Sequence, residues 1–214
     1  MAMTERNYGS DSLVKSQKRV DDHGEVFTPQ WLVESMLDLT GEPERIEARF
    51  FEPTCGNGNF LVMILERKLA IVELVSTKRI QKLHFSLIAI MSIYGVELLE
   101  DNVAECRKRL LSIFADYLNI KPSESIYKAA AHILSLNIIH GDALRMSTNN
   151  NRPIIFAEWA YLGRDRFSRQ DFRFDSLVEA GDSNKAITPV KVYGPLSIDD
   201  IANRCKSSVR EKSL

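Results

Sequence analysis

The chain has 214 residues, 44% hydrophobic and 27% charged, with 28 Lys and Arg against 29 Asp and Glu. That is enough for one full domain with a sizeable core, and short for two. The near-zero net charge excludes a globally basic nucleic-acid binder or membrane-surface protein, so any such surface must be a local patch.

Residues 1–24 read as a flexible polar N-terminal arm, with a basic run at VKSQKRV and no apolar core of a signal peptide. FTPQWLVESMLDL begins a helix. Thr28 can cap it, Pro29 suits its first turn, and Leu32, Val33, Met36 and Leu37 share one face. ARFFEP is a short buried strand ended by Pro53, and Phe60, Leu61, Ile64, Leu65 and Leu69 then follow helical spacing. The apolar segment HFSLIAIMS is too short to span a bilayer and leads into SIYGVE, a strand ending in an acid. Asp101 can cap the next helix, whose apolar face is Val103, Leu110, Leu111, Phe114 and Leu118. KPSESIYKAAAHILSL is a further helix, NIIHGD a strand ending in an acid, and RPIIFAEW a fourth strand. Helices alternating with short strands predict an α/β fold with a doubly wound sheet.

After residue 162 the pattern weakens. GRDRFSRQDFRF is basic and aromatic, AGDSNKAITPVKVYGP is loop-like, and SIDDIANRCKSSVREK closes as a helix with a Ser197–Asp200 capping box. The division expected is an arm over 1–24, a cofactor-binding domain over 25–162, and a basic, aromatic loop and helix over 163–214. The last part leaves no room for a separate target-recognition domain, and the sheet is truncated at its later strands. Cys55, Cys106 and Cys205 show no paired spacing, and the four histidines are scattered, so no metal site is expected. A reduced, cytoplasmic protein without membrane partners fits.

In open α/β sheets ligands bind beyond the carboxyl ends of the strands. Gly56 and Gly58 allow the backbone after the first strand to approach a ligand closely. Glu97 ends the second strand and can accept hydrogen bonds from two ribose hydroxyls. Asp142 ends the third and can accept one from an adenine amino group. The third glycine of a dinucleotide-binding G-x-G-x-x-G is missing, and no phosphate-cradling G-x-x-x-x-G-K-[ST] occurs. Glu52, just before the loop, is a poor neighbour for phosphate and a good one for an amino group and a sulfonium. The ligand indicated is S-adenosylmethionine.

The set FTP (27–29), EPTCGNGNF (52–60), IYGVELLEDN (93–102) and IIHGDAL (138–144) resembles the N6-adenine DNA methyltransferases of restriction–modification systems. The resemblance covers roughly residues 20–161 and implies a Rossmann-like methyltransferase fold. It implies that Thr28 contacts the methionine carboxylate, and that Glu52 and the backbone of Thr54, Cys55, Gly56 and Gly58 surround the amino-acid part. Phe60 completes that loop, Glu97 holds the ribose, and Asp142 with Ala143 holds the adenine. DNA and a specificity or other restriction–modification subunit are the implied partners.

The family's catalytic N/D-P-P-Y motif departs here to EWAY. Glu158 stands for Asn or Asp, Trp159 and Ala160 for the prolines, and Tyr161 is retained. The motif's oxygen acceptors steer the amino lone pair of adenine toward the methyl group, and its aromatic residue stacks on the flipped base. Glu158 and Tyr161 are therefore the expected catalytic residues, with a non-catalytic, cofactor-binding regulatory or scaffold subunit as the alternative. For DNA contact, Arg164, Arg166, Arg169 and Arg173 alternate with phenylalanines. The competing reading is a loop with arginines outside and phenylalanines inside.

Overall fold

A computed structural model describes residues 13–39, 45–183, 186–204 and 209–210. Strands β1 (Phe50–Glu52), β2 (Ile93–Glu97) and β3 (Ile138–Asp142) pair in parallel in that order. Strand β4 (Ser147–Thr148) closes the β3 edge antiparallel. Two helices, α3 (Asn59–Val75) and α4 (Arg79–Met91), link β1 to β2; here α1 is Gln17–His23 and α2 is Gln30–Leu39. Two more, α5 (Glu100–Leu118) and α6 (Ser125–Asn137), link β2 to β3. Successive right-handed crossovers moving one way across a sheet put their helices on one face. There Leu61, Leu65, Leu87, Ile90, Leu110, Phe114 and Ile133 form the main core with Ile93 of β2. The alternate β2 residues Tyr94 and Val96 pack on the other face, against Ile154 and Phe156. All five β2 residues are therefore buried, as in a strand covered on both faces.

The fourth expected strand does not join this sheet. RPIIFAEW enters β5 (Ile155–Gly163), which pairs antiparallel with β6 (Arg166–Arg173). β6 pairs with β7 (Lys191–Leu196), and β7 with β8 (Val209–Arg210), making a second, wholly antiparallel sheet. A boundary at 162/163 would cut the β5–β6 hairpin, and β7 lies where a loop was expected. Hairpin pairing satisfies the backbone donors and acceptors of β5 locally, which a hydrophobic pattern alone does not reveal. Between β6 and β7 runs α7 (Phe174–Ser183), and α8 (Ile198–Ala202) follows with the expected capping box at Ser197 and Asp200. The expected closing helix over 197–212 is therefore cut short: it ends at Ala202, Val209 and Arg210 pair as β8, and residues 205–208 and 211–212 lie outside the described residues.

The N-terminal stretch is also more ordered than a loose arm. Ser16 caps α1 by accepting from the Arg19 N–H, and Gly24 ends it in the left-handed region at φ 65°. Lys15 pairs with Asp101 and Glu105, and Arg19 with Glu25 and Asp101, tying the segment to the start of α5. Asp101 thus serves these cations, while Leu99 is the N-cap residue of α5. Residues 1–12 of the expected arm lie outside the described residues. No helix among the described residues is long and apolar enough to cross a membrane.

Candidate ligand cleft at the carboxyl ends of the parallel strands

Glu52, Glu97 and Asp142 are the last residues of β1, β2 and β3, so parallel pairing alone brings three carboxylates to one edge. The chain after Glu52 turns tightly over β2. Cys55 N–H donates to the Val96 carbonyl (3.0 Å), and Gly58 N–H to the Cys55 carbonyl (2.8 Å). Gly56 and Gly58 hold φ of 52° and 91°, the left-handed region that favours glycine. A Cβ on Gly58 would also stand 2.6 Å from Cys106 Sγ. Glu97 fixes the loop from below: its Oε2 accepts from Gly56 N–H and its Oε1 from Leu99 N–H, both at 2.9 Å. Asp142 Oδ1 accepts from the N–H groups of Leu144 and Arg145.

The docked N-terminal segment supplies the opposite wall. Asn59 joins the two sides, donating to the Thr28 carbonyl (2.9 Å) and accepting from Arg109 Nη1 (2.8 Å). Between the walls lies a cleft of about 480 Å³. Thr28, Glu52, Thr54, Cys55 and Gly56 line it, as do Phe60, Glu97, Asp142 and Ala143. Of the cofactor residues expected from sequence, Gly58 alone stands behind the lining, as the N-cap residue of α3. The neighbouring Cys106 thiol and burial push the Cys55 thiol up, so it stays protonated. Four carboxylates, from Glu25, Glu52, Glu97 and Asp142, line the cleft; among its described lining residues there is no Lys or Arg.

Glu25, Asn57, Asn59 and Asn102 belong to this site and were not foreseen. Glu25 is two residues before the FTP motif, yet its place depends on Arg19 and on Asn102, 77 residues away in sequence.

The structure does not bring Glu158 and Tyr161 to the cleft. Ile154, the residue before β5, packs by Gly141 near the carboxyl end of β3. From there β5 runs toward the amino ends of the parallel strands. Tyr94 Oη donates to the Ala157 carbonyl, and Trp159 Nε1 to Asn137, the residue before β3. Glu158 pairs with Arg49, the residue before β1. Glu52 and Arg49 are three residues apart along an extended strand, about 10 Å. Tyr161 packs against His84 and Phe167, with ring centroids 5.7 and 5.2 Å away. EWAY therefore sits inside a hairpin strand at the far end of the sheet, because β5 pairs with β6 instead of extending the sheet beside β1.

The arginine-rich stretch is strand β6 and the turn before it. Phe167 and Phe172 are buried, and Arg169 is buried in a two-point pair with Asp171 (2.6 and 2.8 Å). Arg173 pairs with Asp175, Arg166 lies 3.9 Å from Asp200, and Arg164 is exposed in the turn.

These features define a mixed α/β domain with a mainly parallel sheet and an acidic, glycine-walled cleft at its carboxyl edge. Residues 34–160 match the family model described as MmeI, DNA-methyltransferase domain, and the chain belongs to that family. No curated protein and no solved structure matches it.

Proposed function

We propose that the chain is the S-adenosylmethionine-binding unit of a restriction–modification DNA methyltransferase that acts on adenine N6. Its sheet corresponds to the first three parallel strands of a Rossmann-like methyltransferase fold. The observation that carries this reading is the convergence of Glu52, Glu97 and Asp142, each closing one of three neighbouring parallel strands, on a single cleft walled by the 54–58 loop. The cleft chemistry fits the cofactor. Carboxylates without lysine or arginine repel phosphate and favour a ligand carrying an ammonium and a sulfonium. Two lining residues, Glu25 and Asn57, each carry a buried acceptor (Oε1 and Oδ1) with no donor among the described residues, which suits a donor-rich ligand.

When bound, the cofactor supplies an electrophilic methyl group. The chain's own contribution is positioning. Glu52 and the 54–58 backbone hold the amino-acid end, Thr28 its carboxylate, Glu97 the ribose, and Asp142 with Ala143 the adenine. The preset hydrogen bonds of Glu97 and Asp142 mean that little side-chain freedom is lost on binding. DNA is the substrate, and a second restriction–modification subunit provides sequence specificity. The pairing of Arg169 and Arg173 with their own carboxylates favours that division of labour.

A second reading, a cofactor-binding regulatory or scaffold subunit without its own catalysis, is favoured by the distance of Glu158 and Tyr161 from the cleft. Calorimetric titration with S-adenosylmethionine tests both readings, and absence of binding by folded protein would sink both. Transfer of a labelled methyl group to adenine in unmethylated duplex DNA, assayed alone and with candidate partner subunits, separates them.

A further inference from the structure

Glu25 sits in a charge cluster that is not self-neutralising. Lys15 and Arg19 face three carboxylates, those of Glu25, Asp101 and Glu105. Asp101 already takes Arg19 through both of its oxygens, at 2.7 and 3.1 Å. The Glu25 side chain is 7% exposed. Its Oε2 accepts three hydrogen bonds, from Arg19 Nε (3.0 Å), Arg19 Nη2 (2.6 Å) and Asn102 Nδ2 (2.8 Å). Its Oε1 is buried, has no donor among the described residues, and belongs to a residue that lines the cleft. A buried carboxylate oxygen held rigidly by three bonds to its twin, yet without a donor of its own, is costly in the free protein. A donor arriving with a ligand removes that cost once a small shift of the cleft wall uncovers Oε1.

We propose that Glu25 is a ligand-binding residue of the cleft, its Oε1 accepting a hydrogen bond from a donor group of bound S-adenosylmethionine. The inference rests on the cofactor reading above and adds the N-terminal segment to the recognition surface. The segment's docking through Arg19 and Lys15 then serves to aim this carboxylate.

The test is calorimetric titration of the full chain with S-adenosylmethionine and, separately, with adenosine. In Glu25→Gln the amide oxygen can keep the Arg19 and Asn102 bonds while an NH2 replaces the acceptor at the cleft. The variant should bind S-adenosylmethionine about 10- to 100-fold more weakly than wild type, the range expected for one hydrogen bond to a charged acceptor, with its ligand-free melting temperature held within a few degrees. A loss with both ligands places the donor on the nucleoside, a loss with S-adenosylmethionine alone places it on the amino-acid tail, and either supports the proposal. Asp101→Asn loosens the same cluster without altering the lining and should weaken binding far less. Unchanged binding by Glu25→Gln, or an equal loss in Asp101→Asn, would overturn the role of Glu25 while leaving the cofactor reading intact. Failure of the wild-type chain to bind overturns that reading and this inference with it. If Glu25→Gln does not fold, Glu25→Asp keeps the charge, withdraws it by one methylene, and carries the same expectations.

Discussion

Glu97 accepts a hydrogen bond from the backbone N–H of Gly56, 41 residues earlier in the chain, at 2.9 Å. With Leu99 N–H on its other oxygen, one buried carboxylate sets both the glycine loop and the start of α5. Glu97→Ala should leave two backbone donors without this acceptor and lower stability by about 2 kcal/mol in urea denaturation. Glu97→Gln, which keeps one acceptor, should lose roughly half as much. Equal stability of Ala variant and wild type would show that the loop is held by other contacts.

Gly95 lies under the same loop. A Cβ there would stand 2.9 Å from Cys55 Sγ, 3.0 Å from Cys55 Cβ and 3.1 Å from Leu61 Cδ1. Gly95→Ala is expected to destabilise by about 1–3 kcal/mol through overpacking. Adding Cys55→Ala removes the sulfur but not the Cβ contact, so the double variant should recover part of the loss. A double-mutant cycle measures that coupling, and strict additivity would contradict the packing described.

Lys68 is fully buried, and its Nζ donates to the carbonyls of Ile46 and Ala48 at 2.6 Å each, 5.2 Å from the Phe50 ring centroid. Burial pushes its pKa down from 10.5 to about 8. Between these values the unfolded chain binds more protons than the folded one, so stability attributable to Lys68 rises with pH and is lost as pH falls through 8. Urea denaturation from pH 7 to 10 should show this rise in wild type relative to Lys68→Met. Parallel curves for the two proteins would refute it.

Glu158 and Tyr161 lie at the opposite end of the sheet from the cleft, so Glu158→Gln and Tyr161→Phe should leave S-adenosylmethionine affinity within about twofold of wild type. Tyr161→Ala should cost stability through lost packing on His84 and Phe167, by about 1–3 kcal/mol for a half-buried ring. A tenfold loss of cofactor affinity in either conservative variant would mean that EWAY reaches the cleft after all.

The parts of this molecule that the sequence disclosed are those whose information is local. The 52–60 loop, the acids closing β2 and β3, and the Ser197 capping box each occupy a few consecutive residues, and parallel pairing does the rest. Pairing partners are not local. Nothing in RPIIFAEW distinguishes a strand that extends a parallel sheet from one that turns back onto β6, because both want the same apolar, β-branched residues. The docked N-terminal segment was hidden for the same reason. VKSQKRV reads as a solvated basic run until Asp101, 86 residues after Lys15, is placed beside it.

The absence of lysine and arginine from the described lining of the cleft bears on competition inside a cell. Adenosine is a handle shared by many metabolites, and on the proposed function the strand-end acids hold only the ribose and base that all of them share. What differs is the tail. A wall of carboxylates charges an electrostatic toll on every phosphorylated adenosine compound and none on a cationic one. On the proposed function the same wall also repels the DNA backbone, and a target base would have to enter by another route.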